Sequence, residues 1–469
     1  MSRRWDVVVV GGGHDGLACA ATLARAGRSV LVLERRPIVG GASVTEEIAP
    51  GFRAPGAIMT ASQLRPPLVR ALDLDRHGLS LVPFRSAWAP SPEGPGVCLW
   101  DDPARTREEI STVSVRDADR YPELVRTLAR LAAAVGSLVD GPPIDPVSRR
   151  PTELVRLGTL AHGLLRGGDL LPLIAVATQS VADWLAEWLE SEILRAPLVA
   201  MGLQNVFLGP RSPGTALDLA VASLGGLDPA GGGRCLAIGG TGAVADAIAR
   251  SATAAGAEIR THVAVERVHV EGDRATGVVL EGGEVVDSAV VVVASEHQDG
   301  AAARINLALD HLPAFNGRTG AEHLAGEITI APSIVAMDEA FVEARAGRWS
   351  RRPMLHLAIP TLSDPTLAPP GRHVMTILAR YAPHALSGDA AQWTAERDPF
   401  ADHVLSVIEE LCPGLTRAVV QRQVLTPMPL RTVDAPKVAG LVTWSSGPAS
   451  GIGMAGFRRA HQILGGAAS

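Results

Sequence analysis

Residues Val7–Arg36 read "VVVVGGGHDGLACAATLARAGRSVLVLERR". Four β-branched residues run into three glycines, then into an alanine-rich segment and a second apolar run that ends at Glu34. Val7–Val10 has the character of a buried parallel strand. Gly11, Gly13 and Gly16 form G-x-G-x-x-G. The first glycine permits a tight turn, the second lets a pyrophosphate approach the backbone, and the third lets helix pack close to strand. Leu17–Ala26 is expected to be helical, with its N-terminal N–H groups aimed at phosphates. Gly27 ends that helix and Val30–Leu33 is the second strand. Glu34 closes it at the spacing where an acid accepts hydrogen bonds from a ribose, which argues against a 2′-phosphate. Arg3 and Arg4 before an apolar run, with Ala18, Ala20 and Ala21 after it, superficially suggest a secretory leader. Glycines in the middle of the apolar run and the continuing second strand tell against that reading.

Beyond Glu34 the chain continues "RRPIVGGASVTEE", with Arg35, Arg36, Gly40, Gly41 and Ala42. A glycine pair after the second strand lets backbone approach a further part of a long ligand, which a nicotinamide dinucleotide does not require.

These residues also carry a resemblance. "GGGHDGL", "LERR" and "GGASVTEEIAPGF" resemble the start of the phytoene dehydrogenase-like group of FAD-dependent oxidoreductases, whose FAD domain is similar to that of amine oxidases. Ser114–Leu124, Ile238–Ile259 and Ile359–His384 are similar to further segments of the group, so the resemblance spans most of the chain. It implies an α/β fold: a glutathione-reductase-like, Rossmann-type FAD domain with an inserted mixed α/β substrate domain. It also implies non-covalently bound FAD.

The signals divide accordingly. Residues 1–85, 234–300 and 426–469 are expected to form a discontinuous FAD domain. Residues 86–233 and 301–425 are expected to form a substrate domain with a helical cap. In 234–300 a helix leads into hairpin strands whose turns are "EGDR" and "EGGE". Residues 86–233 read as helical. "DWLAEWLESEIL" places Trp184, Leu185, Trp188, Leu189 and Ile193 on one face, and "TELVRLGTLAHGLL" does the same with Leu154, Leu157, Leu160 and Leu164. Such stripes are core packing, or the roof of an apolar pocket. Residues 301–425 are expected to supply a sheet over the flavin.

The 469 residues carry a net charge of −6 with both signs mixed along the chain, so no nucleic-acid footprint appears. Apolar residues make up 47% and aromatics 4%, which implies a core of Leu, Val and Ala. Lys437 is the only lysine, and this arginine bias with abundant Ala and Gly fits a GC-rich bacterial genome. Cys19, Cys98, Cys235 and Cys412 are scattered without a C-x-x-C, so the redox dithiol of disulfide-reductase flavoproteins is missing and a reducing cytoplasm fits. No metal-ligand spacing and no apolar run of transmembrane length stand out; Leu171–Ala182 is too short.

A flavin needs its ring tuned and its access controlled. The C-terminal "WSSGPASGIGMAGFRRAHQIL" is a strand, a glycine-rich turn and a helix from about Gly451, and in the related group this turn meets the ribityl chain and ring. Ser445, Ser446, Gly447, Gly451 and Ile452 are therefore candidate cofactor contacts, with Gly11, Gly13, His14, Asp15, Gly16, Glu34, Arg35, Arg36, Gly40, Gly41 and Ala42. Val265 stands where related proteins contact adenine through the backbone, with Val263 as runner-up. Three features depart from the group: Asp15 where many members have asparagine, a shorter C-terminal turn, and a shortened "LTPMPLRTVDAPKVAG". Asp15 is expected beside the pyrophosphate, where repulsion opposes the helix dipole unless the carboxylate turns to Arg35 or Arg36.

"IGGTG" lacks the spacing and the following acid of a second dinucleotide unit, so no stable NAD(P)H site is expected. No catalytic base stands out. His356 and His384 fall in the substrate half, and Lys437 is of interest because amine-oxidase-like enzymes can use a lysine near flavin N5. The expected activity is FAD-dependent dehydrogenation (desaturation) of an apolar or small secondary metabolite, with electrons passing to oxygen, a quinone or a partner. A redox-neutral isomerase or cyclase, and a non-catalytic scaffold with a vestigial flavin site, are the alternatives.

Overall fold

The computed structural model describes residues 4–62, 64–140, 154–155, 157–159, 162–163, 167–168, 170–204, 206–224, 234–294, 302–427, 438–444 and 452–465. The chain opens with strand β1 (Trp5–Val10), helix α1 (His14–Arg25), strand β2 (Val30–Leu33) and the hairpin β3 (Thr45–Ala49) and β4 (Phe52–Pro55). Strands β5 (Leu81–Pro83), β6 (Ser86–Ser91) and β7 (Gly94–Trp100) precede helices α2 (Val115–Val139), α3 (Val181–Trp188) and α4 (Glu192–Gly202). Then come β8 (Cys235–Ala237), helix α5 (Thr241–Ala254), β9 (Glu258–Arg260), and the meander β10 (Val265–Glu271), β11 (Arg274–Leu280) and β12 (Val285–Ala294). The last part holds β13 (Ala302–Leu309), β14 (Glu327–Ile330), β15 (Leu355–Ala358), β16 (His373–Arg380), helix α6 (Trp393–Glu409), β17 (Val419–Leu425), β18 (Leu441–Trp444) and helix α7 (Met454–Leu464).

Two seven-stranded sheets organise these elements. In the first, β1 lies between β2 and β12, parallel to both, and β9 and β18 extend the parallel set. Val8 and Val9 are fully buried because α1 and α5 cover one face while the β10–β12 meander packs on the other. A strand covered on both faces must be apolar throughout, which is why β1 is an unbroken valine run. The second sheet has the order β17-β13-β16-β15-β14-β6-β7 and is antiparallel except where β14 meets β6. Its two faces differ. Ile305, Leu307, Leu357, Met375 and Ile377 pack against Phe400, Val404 and Ile408 of α6. The residues between them, including Arg304, Asn306, Glu327, His356 and Thr376, point to the opposite face because strand side chains alternate.

The expectation that residues 86–233 are helical fails at their start, because β6 and β7 are strands of the second sheet. The segment "SAWAPSPEGPGVCLW" hides an alternating pair around its Pro–Glu–Gly turn, and buries Trp88, Cys98 and Trp100. The tryptophan stripe is core as expected, with Trp184, Leu185 and Leu189 buried, but it is not one helix. Leu189 is extended (φ −125°, ψ 142°) between α3 and α4. Asp117 of α2 holds this break by accepting the N–H groups of Glu190 and Ser191 at 2.8 and 2.9 Å. In the other stripe Leu154 is exposed and Leu157 half-buried, while Leu160 and Leu164 lie outside the described residues.

β5 and β8 pair antiparallel as a two-stranded ribbon where the chain passes between the sheets. Phe84 N–H donates to Arg234 O at 2.9 Å and Ile238 N–H to Ser80 O at 3.0 Å, closing both ends of it. Among the described residues no helix is long and apolar enough to cross a membrane, and no three His, Cys, Asp or Glu side chains could hold a metal ion.

Candidate functional site

The glycine turn sits at the carboxyl end of β1. Gly11 has φ +100°, a conformation that disfavours any side chain. A Cβ on Gly16 would lie 2.1 Å from Gly11 O, so helix and strand are in contact here only because this residue has none. Gly13 caps α1 with no side-chain hydrogen bond, and a Cβ there would meet only the Gly41 Cα, at 3.8 Å. The first turn of α1 is thus left uncovered by side chains, and its orphan N–H donors with the helix dipole suit a phosphate.

Glu34 is buried and holds this turn in place. One carboxylate oxygen accepts Gly12 N–H at 2.7 Å and the other accepts Arg36 N–H at 2.9 Å. Each oxygen retains a lone pair for a ribose hydroxyl. The second glycine pair closes against the first turn, with Gly40 N–H donating to Gly12 O at 2.8 Å and Gly41 at φ +60°. Ala42 follows at the same place, its carbonyl accepting Ile58 N–H. Next to it Ser43, which sequence reasoning overlooked, is fully buried with an Oγ that has no hydrogen-bond partner among the described residues. An open helix start, a strand-end acid and an orphaned hydroxyl beside a glycine pair fit the phosphates and ribose of a dinucleotide. Arg36 spends its side chain on Glu46, and Arg35 is exposed.

Val265 is buried beneath β1 and β2, in a cluster with Trp5, Val8 and Leu31. The N–H of Val263 is already used, donating to Glu34 O at 2.9 Å, so the strand end and the start of the meander are tied together.

Helix α7 completes the site. It packs along α1, and its N-cap Gly453 (φ +76°) donates to Nδ1 of His14 at 3.2 Å. Gly456 N–H donates to Oδ1 of Asp15 at 3.2 Å. Asp15 therefore turns neither to Arg35 nor to Arg36. The carboxylate is buried against the start of α7, where two helix dipoles favour it. The side chains of His14 and Asp15 are both engaged by the start of the C-terminal helix. Ile452 is buried and bridges to Leu64. Ser445, Ser446, Gly447, Gly451 and Lys437 lie outside the described residues.

"IGGTG" begins α5, and two of its backbone donors are taken by side chains. Thr45 Oγ1 accepts Gly242 N–H at 2.9 Å, and Asp364 accepts Gly239 N–H at 2.6 Å. A Cβ on Gly240 would lie 2.4 Å from Thr45 Oγ1. These glycines serve the packing of the β3 hairpin against α5.

On the second sheet, Glu327, His356 and Arg234 meet in a buried cluster. His356 Nδ1 lies 3.0 Å from Glu327 Oε1, and the Arg234 guanidinium bonds the other oxygen. Burial alone would raise the Glu327 carboxyl, but Arg234 and the His356 hydrogen bond outweigh it and hold it down at about 2. His356 is 0% exposed, which rules out a surface role, and its Nε2 has no partner among the described residues. A cavity of about 30 Å³ adjoins the cluster, between α4 and β6–β7, lined by Leu99, Leu198, Met201, Arg234 and Thr329 among others. His384 lies in the segment after β16, and its Nε2 is buried without a partner among the described residues.

Residues 16–460 match the family model of flavin containing amine oxidoreductases. The chain belongs to that family. Its relatives include a rat protein named pyridine nucleotide-disulfide oxidoreductase domain-containing protein 2, 34% identical over 92% of this chain and 83% of its own length. The phytoene dehydrogenase of Streptomyces griseus is 28% identical, over 90% and 82%. Among solved structures, putrescine oxidase bound to putrescine shares the fold with a TM-score of 0.58 at 17% identity, covering 99% and 100%. As a family member the chain is a flavin oxidoreductase with FAD as its cofactor and a Rossmann-type fold carrying an inserted mixed α/β part.

Proposed function

We propose that this flavin oxidoreductase dehydrogenates a small, largely apolar metabolite and takes its electrons from that substrate, not from a nicotinamide. FAD, when bound, supplies the hydride acceptor. The chain's own part is to hold it: Glu34 for the ribose, the first turn of α1 for the pyrophosphate, and Ser43 for a neighbouring polar group. Gly40, Gly41 and Ala42 give close backbone approach, Val265 marks the adenine edge, and Ile452 lies toward the ring end. The polar face of the second sheet, with the Arg234–Glu327–His356 cluster, is the proposed substrate side.

The observation that carries this reading is the second glycine turn. Its N–H donors at Gly239 and Gly242 are bound by Asp364 and Thr45, which supports reading this turn as packing and not as a second dinucleotide site. The name of the rat relative suggests a dithiol reaction. Here the four cysteines, on α1, β7, β8 and after α6, are all buried and free, and no two of them form a C-x-x-C.

Anaerobic stopped-flow mixing tests the reading. NADH and NADPH are expected to leave the flavin oxidised for minutes, whereas an extract fraction carrying the metabolite bleaches it. Rapid bleaching by either nucleotide overturns it. Comparing metabolites of a deletion strain then identifies what accumulates.

A further inference from the structure

On the polar face of the second sheet, the ladder registers place Leu425, Arg304, Leu378, His356 and Thr329 in one row. Both ends of this face are covered. At one end Ala308 and Val374 pack under the β3–β4 hairpin, and Asn306 donates to Pro55 O at 2.8 Å. At the other end Arg380 donates to the carbonyls of Leu203 and Val206, just past α4. Leu378 lies between these covers on β16, a central strand. It is nevertheless partly exposed and belongs to none of the hydrophobic clusters. A central-strand leucine left uncovered marks a cleft over the sheet.

The cleft has a cation on one wall. Arg304 is 5% exposed, its Nε has no partner, and its one hydrogen bond among the described residues runs to Thr376 Oγ1 at a long 3.5 Å. Burial pushes its guanidinium down to about 9, with no acidic neighbour among the described residues acting against the burial. On the other wall, two strands or about 10 Å away, stands the unpartnered Nε2 of His356. A buried charge without a counter-charge is costly unless something pairs with it. By contrast, Arg234 in the same sheet region has Glu327.

We propose that Arg304 receives the carboxylate of an amphipathic acid whose hydrocarbon body lies over Leu378. The substrate class of the proposed function is then an organic acid rather than a wholly apolar molecule. This rests on the flavin reading, because the cleft is the substrate side only if FAD occupies the glycine-turn half.

The test uses purified FAD-loaded protein and three probes of matched chain length: octanoate, octanol and octylamine. The flavin spectrum is recorded first; protein without FAD defeats the functional reading and is seen before any probe is added. Calorimetric titration is expected to show octanoate binding at least about tenfold more tightly than octanol or octylamine. Arg304→Met, close in shape and uncharged, is expected to abolish that preference while leaving octanol binding unchanged. Without ligand, its melting temperature is expected to equal or exceed that of the parent, because an unpaired buried charge has been removed. Equal or absent binding of the three probes overturns the proposal. So does a fall of more than about 5 °C in the melting temperature of Arg304→Met, which would reveal an internal carboxylate partner.

Discussion

Asp15 in the first turn of α1 accepts the N–H of Gly456 in the first turn of α7, 3.2 Å away across 441 residues of chain. A Cβ on Gly456 would stand 1.7 Å from the Asp15 carbonyl oxygen. The two helices that flank the glycine turn are thus joined at their starts by one carboxylate and one missing methyl group.

Asp15→Asn is expected to leave FAD affinity nearly unchanged, because the amide oxygen still accepts from Gly456. Asp15→Ala removes the acceptor and is expected to cost about 1 kcal/mol of stability. Titrating apoprotein with FAD, alongside urea unfolding, checks both. A clear gain in FAD affinity for the asparagine variant would mean that the carboxylate does face the phosphates.

Glu34→Ala frees the N–H groups of Gly12 and Arg36 and removes the proposed ribose acceptor. Hydrogen bonds to a charged group contribute about 1.5–3 kcal/mol each, so the variant is expected to purify with most of its flavin lost. Glu34→Gln keeps one acceptor and should fall between. The flavin-to-protein absorbance ratio measures this directly.

Gly456→Ala is expected to push α7 off α1, destabilising the protein by about 1–3 kcal/mol and lowering its FAD content. Gly465→Ala, at the far end of the same helix, has only ordinary contacts at 3.4 Å and serves as the control. Similar melting temperatures for the two variants would argue against close packing at the helix starts.

Glu327 sets an acid limit. Its carboxyl lies at about 2 in the folded protein against an ordinary 4.5, so the folded state binds fewer protons than the unfolded. The resulting stabilisation is complete above about 4.5 and is lost as pH falls toward 2. The difference in urea midpoint between the parent and Glu327→Gln should shrink over that window. Arg234→Met, which strands the carboxylate, is expected to cost about 3–5 kcal/mol near neutral pH.

The nucleotide half was legible because each piece is local. A valine run, three spaced glycines and an acid lie within thirty residues, and each has a single physical reason for its position. β6 and β7 were not, because Pro92, Gly94 and Pro95 mask the alternation of Ser86–Trp100 and a strand's partners lie far along the chain. Arg234, Glu327 and His356 carried no signal for the same reason. Nothing in the neighbours of any one of them marks it as part of a cluster; the β14–β15 ladder brings Glu327 and His356 together, and Arg234 reaches them from just before β8. His356 stands out in the sequence only as a histidine, and Glu327 is one acid among many. Asp15 is unusual where it stands, but its hydrogen-bond partner lies at the opposite end of the chain.

The ribbon of β5 and β8 has a consequence for how such a protein can change. Residues 84–234 leave and return at one hydrogen-bonded point, Phe84 N–H to Arg234 O. The ladders around the glycine turn, β1 with β2 and β1 with β12, draw no strand from the segment between. The Arg304–Leu378–His356 row lies outside this segment, so a graft made at this junction should exchange the helices and the β6–β7 edge of the second sheet while leaving that row and the glycine turn in place.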